Sequence, residues 1–181
     1  MRWIEVHMTP EAKIEIVQIL EQSRREFNDA IGGISEAQSV IRPDPERWSV
    51  SECIEHVTTA EIRFLSFFEN AGLAGAPPQD KQKEANLTAR VTDRGQRAQA
   101  PEPVRPIGRF PSLTIGIEEF NAVRTRSIAF AESHCDDLYS YALQHPRFGP
   151  LNGYEFMLII AGHARRHAAQ IREIKTGLGA A

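Results

Sequence analysis

The chain has 181 residues, with 21 lysines and arginines against 24 aspartates and glutamates, a formal net charge of −3. That length suits a single domain, residues 1–181, with a core of its own. The slightly acidic balance argues against a nucleic-acid partner held by phosphate neutralisation, and no uninterrupted apolar stretch is long enough to span a bilayer. Two cysteines, Cys53 and Cys135, lack CxxC spacing, and the stretch from Met1 to His7 lacks the apolar core of a signal peptide. A reducing, cytoplasmic setting without membrane association is the expectation.

The first helix opens at Thr9-Pro10-Glu11, where an N-cap residue, a proline and an acid stand in order. Its apolar stripe reads Ile14, Val17, Leu20, Phe27 and Ile31, and Gly32-Gly33 ends it. The second opens at Ser49-Val50-Ser51-Glu52, a capping box, with Trp48 placed as a hydrophobic staple. Its inner face carries Cys53, His56, Val57, Ala60, Phe64, Phe67 and Phe68, and it stops near Gly72.

Residues 72–111 hold six of the eleven prolines and few large apolar side chains. Forty residues without structure do not suit a compact domain, so a short helix over Lys83–Val91 and an extended Pro-rich strap from Ala100 to Pro111 are expected. The third long helix follows Pro111-Ser112, with Ile117, Phe120, Val123, Phe130 and Ala131 inward. The fourth is capped by Asn152, with Glu155 three residues on, and runs to Lys175 before Gly177. No alternating segment makes a strand. The fold class is all-α: a four-helix bundle with a long Pro-rich crossover between its second and third long helices.

Chemistry concentrates on the last helix. His163 and His167 are one turn apart and share a face with Phe156, Ile160, Ile171 and Ile174. Two imidazoles on an apolar face require partners, and a metal ion is one way to satisfy them; hydrogen-bonded core histidines are another. Ala164 follows His163, so the zincin HExxH pattern is absent. His56, on the inner face of the second helix, is the third candidate. Three imidazoles with no fourth protein ligand would leave coordination positions open, as in reactive rather than structural sites. Weaker candidates are Cys53 as a ligand, Glu52 as a base (its capping box is the simpler role) and Gln170 as a partner behind a ring. His7, His134 and His145 read as terminal, helix-end and turn residues.

The segments Trp48-Ser49-Val50-Ser51-Glu52-Cys53-Ile54-Glu55-His56-Val57 and Gly162-His163-Ala164-Arg165-Arg166-His167-Ala168-Ala169-Gln170-Ile171 together resemble the DinB-like superfamily, which includes the YfiT-like proteins. Ala100-Pro101-Glu102, Pro106-Ile107-Gly108, Arg124 and the run from His145 to Asn152 extend the similarity in order, over most of the chain. The resemblance implies an up-down-down-up bundle, often a homodimer, with a divalent metal on three histidines. His56, His163 and His167 match those three positions. Some members of the family are thiol transferases and one branch includes a thiol-dependent isomerase. The expected activity is therefore a metal-dependent transferase or hydrolase acting on a small molecule, with a low-molecular-weight thiol as one co-substrate. Zinc or nickel is the expected ion. A non-catalytic structural or regulatory metal-binding bundle is the alternative, and no catalytic residue beyond the ligands is assigned.

Overall fold

The computed structural model describes residues 8–95, 99–134 and 138–179; His7 and Cys135 lie outside them. Four long helices form the bundle: α1 (Pro10–Ile31), α3 (Val50–Glu69), α5 (Leu113–Ser133) and α6 (Gly153–Gly177). Two shorter helices, α2 (Glu36–Ser39) and α4 (Lys81–Thr92), lie in the connections. The cap signals act as their chemistry dictates. Thr9 accepts from the Ala12 N–H, Ser112 from Ile115, and the Ser49/Glu52 and Asn152/Glu155 capping boxes are both closed.

Side-chain pairs give the direction of each helix. Along α1 and α6, Glu15 meets Tyr154 while Glu26 meets Arg165, so the two run parallel. Along α3 and α5, Ile54 faces Gly116 and Glu61 pairs with Arg124, again parallel. Asn28 with Asn121 and Arg24 with Thr125 make α1 and α5 antiparallel, and the ring contacts of His56 with His167 and of Phe68 with Phe156 make α3 and α6 antiparallel. The order is up-down-down-up. Because α3 and α5 run the same way, the chain must return the full length of the bundle between them. That return is the Pro-rich crossover.

The crossover contains the expected helix, as α4, and the strap, which is not extended throughout: it makes a 3-10 turn at Glu102–Val104 and turns again at Gly108, whose φ is +80°. α4 packs on α6 at Gly162, where a Cβ would lie 2.9 Å from Val91 Cγ1. Three features differ from the sequence reading. Ile14 is 59% exposed, because the buried face of α1 runs through Ala12, Ile16, Leu20, Ser23 and Phe27, with small residues where neighbouring helices approach. α2 has no counterpart among the expected helices: four residues are too few for a periodic pattern, although Ser35 and Gln38 close a capping box. A hairpin of β1 (Leu143–His145) and β2 (Gly149–Leu151) precedes α6 in antiparallel register, each strand too short to show alternation.

At the centre, the Arg124 guanidinium is fully buried and donates to both Glu61 oxygens at 2.8 Å, to Ser23 Oγ and to the Leu20 carbonyl at 3.0 Å. It also reaches the Ile160 carbonyl at 3.4 Å, so one side chain joins all four long helices. Among the described residues, no helix is long and apolar enough to cross a membrane.

Candidate metal centre

The antiparallel packing of α3 and α6 sets His56 opposite His163 and His167. The three rings form a nearly equilateral triangle, with centroids 5.0, 4.9 and 4.7 Å apart and each pair steeply inclined. One ligand atom from each ring lies within 4.8 Å of the others. Among the described residues, this is the one group of three or more histidine, cysteine or acidic side chains so gathered. His56 and His167 are each 6% exposed, whereas His163 is half-buried and gives the group its opening.

The protonation pattern follows from neighbouring atoms. His56 Nδ1 lies 2.8 Å from the Val104 carbonyl, which can only accept, so Nδ1 carries the hydrogen and Nε2 presents a lone pair. That Nε2 stands 3.1 Å from His163 Nε2. Burial lowers the proton affinity of all three rings. His163 and His167 are pushed well below the usual imidazole range, first by burial, then by the neighbouring ring charges and by Arg166; His56 is lowered less, because the Val104 bond opposes burial. Gln170 resists the shift at His167 but makes no hydrogen bond to His167 Nδ1, which is buried without a partner. Trp48 covers the site, 4.7 Å from His56 and 6.1 Å from His167 between ring centroids, and Phe64 lies against His163 at 5.9 Å.

These features fit a divalent cation. Three neutral rings, closely gathered and largely desolvated, cannot satisfy one another by a single hydrogen bond. Nitrogens bound to one zinc at about 2.0–2.1 Å in tetrahedral geometry are about 3.3 Å apart, and the His56–His163 spacing already matches.

The weaker candidates resolve individually. Glu52 is committed to the Ser49 N–H and to Arg42, so it stays at the helix start. Cys53 is fully buried in the apolar cluster that also holds Val57, Ala164 and Ala168, and burial holds its thiol far above its usual range. His145 accepts the Arg147 and Phe148 N–H groups in the hairpin turn, and His134 caps α5. Val104 contributes a backbone carbonyl, which no side-chain pattern can announce. Trp48 was legible only as a staple.

Residues 19–171 match the DinB superfamily. The chain belongs to that superfamily. Among curated relatives, the protein YuaE of Bacillus subtilis (strain 168) is 24% identical over 159 residues, spanning 88% of this chain and 96% of YuaE. Among solved structures, YfiT from Bacillus subtilis superposes with a TM-score of 0.58 at 16% identity, covering 99% of this chain and 95% of YfiT. YfiT is described as a probable metal-dependent hydrolase with an unusual four-helix bundle topology. The likeness to YfiT shows that this DinB-superfamily chain shares that bundle fold.

Proposed function

We propose that the protein is a divalent-metal-dependent enzyme in which His56, His163 and His167 hold zinc or nickel and a small-molecule substrate is attacked by an activated water or thiol. The observation that carries this reading is the triangle of three neutral imidazoles, one with its lone pair fixed by the Val104 carbonyl. Such an ion supplies Lewis acidity that makes a water or thiol acidic enough to ionise near neutral pH.

The protein's own residues do the rest. Trp48 and Phe64 keep bulk water from two sides of the rings, which strengthens electrostatic interactions within the site. Arg166, with Arg147 and the Glu173-paired Arg94 near it, disfavours a further positive charge on His163, partly offset at Arg166 by Asp93 and Glu173. Those cations favour an anionic nucleophile such as a thiolate, which supports a low-molecular-weight thiol as co-substrate and thioether formation alongside hydrolysis. A cytoplasmic location would keep that thiol reduced. Exposed Val40, Ile41 and Ile107 offer apolar surface for a homodimer.

A second reading, a metal-binding bundle without catalysis, is favoured by one observation: among the described residues, no carboxylate joins the three rings. The experiment is a metal assay of tag-free protein, followed by the loaded protein against ester, amide and electrophile panels with and without added thiol. Turnover that disappears in His163→Ala supports the enzyme; loaded protein inert towards every panel member supports the second reading.

A further inference from the structure

Glu55 immediately precedes His56 on α3 and is 3% exposed, yet it plays no part in the apolar core. Its carboxylate accepts the Ile107 N–H at 2.7 Å and the Gly108 N–H at 2.9 Å, and the Arg109 guanidinium donates to it at 2.6 Å. Arg109 also donates to the Arg105 carbonyl at 2.8 Å, which closes the strap on itself, and Gly108 takes a φ of +80° to present its N–H. One residue along, His56 reaches the same strap at Val104. Two consecutive side chains of α3 therefore grip one segment, Glu55 at its turn and His56 three residues earlier.

We propose that Glu55 is a positioning residue for the metal centre, acting through the strap to hold the Val104 carbonyl against His56 Nδ1. The inference rests on the metal-binding reading above. In a neutral imidazole the hydrogen sits on one nitrogen or the other, and the acceptor behind the ring decides which. With Val104 in place, Nε2 is free of hydrogen and faces His163. If the strap is released, the hydrogen can occupy Nε2 and block that ring as a ligand. The strap is poor in large apolar side chains, and only Val104 of its 3-10 turn is buried. Its position therefore depends on the Glu55 bonds more than on packing.

The test compares Glu55→Gln and Arg109→Ala with the wild type, as full-length protein. Glutamine keeps the size of the side chain, but its amide NH2 opposes one of the two strap N–H donors. Arg109→Ala removes the guanidinium and leaves both backbone bonds. Zinc affinity is read by chelator competition, and the His56 tautomer by nitrogen-15 NMR of the metal-free protein. Glu55→Gln should weaken zinc about 10–100-fold, as loss of support behind a ligand does, and move His56 away from the pure Nδ1–H form; Arg109→Ala should give the smaller change in both. Glu55→Gln protein that melts earlier but keeps wild-type affinity and tautomer overturns the proposal. Wild-type protein that binds no zinc, but whose His56 tautomer still changes in Glu55→Gln, sinks the metal reading and leaves the link from Glu55 to His56 standing.

Discussion

Replacing Arg124 by methionine tests whether the bundle that aligns the histidine helices is held by a buried ion pair. Arg124 is fully buried and Glu61 is 2% exposed, and their two 2.8 Å bonds are shielded from solvent. Arg124→Met leaves the Glu61 carboxylate buried with one remaining donor, the Ser127 hydroxyl at 2.6 Å. Breaking a buried pair from one side costs about 3–5 kcal/mol, most of it from the stranded charge. For a chain of this size that corresponds to a fall in Tm of about 6–20 °C. Glu61→Leu strands the guanidinium instead, leaving it the Leu20 and Ile160 carbonyls and Ser23 as acceptors among the described residues, and should cost a similar amount. Arg124→Met with Glu61→Leu removes both charges and leaves apolar groups of comparable size. The double variant should be no less stable than the worse single, a coupling of at least about 3 kcal/mol. Urea unfolding of the four proteins, with m-values compared, provides the measurement. Single variants that cost under about 1 kcal/mol, or effects that simply add, would refute the view that this pair locks the four helices together.

Other consequences follow from the same contacts. His56→Ala and His163→Ala should each weaken zinc at least about 100-fold, since one ligand's share of a structural-zinc binding energy of about 10–16 kcal/mol is about 3 kcal/mol; chelator competition reads this directly. Gly153→Ala should cost about 1–3 kcal/mol or more by thermal melting, because the added Cβ would lie 2.5 Å from the Leu138 carbonyl oxygen, which is backbone and cannot swing away. Burial, then Arg147, lowers the His145 pKa to about 4 from an ordinary 6.5, so the unfolded chain takes up the proton first. The stabilisation is complete above pH 6.5 and is lost as pH falls towards 4, by at most about 3 kcal/mol. His145→Asn keeps an acceptor for the Arg147 and Phe148 N–H groups and should flatten that part of the acid-denaturation curve. A curve identical to the wild type's would show that His145 does not contribute.

Much of this architecture could be read from local chemistry. Thr9, Ser49, Ser112 and Asn152 announced the starts of the four long helices, because a side-chain acceptor for an orphan N–H is a property of a few neighbouring residues. His163 and His167 were legible from their spacing, and His56 from its place on an inner face. The features without a local signal depend on partners distant in sequence. Ile14 looked inward by period alone, but Ser23 takes an inner position because Arg124 hydrogen-bonds to it there. Trp48 signalled a staple, and nothing near it in sequence indicated that it would cover His56 and His167. The Val104 carbonyl and the grip of Glu55 on Ile107 and Gly108 join residues some fifty positions apart, beyond any local pattern.

The most direct measurement is anomalous scattering from crystals of tag-free protein, recorded above and below the absorption edges of zinc and nickel. The account predicts one strong peak at the centre of the triangle formed by the His56, His163 and His167 rings, lost in His163→Ala with His167→Ala. Crystals whose protein carries the ion elsewhere, or whose triangle contains only solvent after zinc or nickel is supplied, would contradict it.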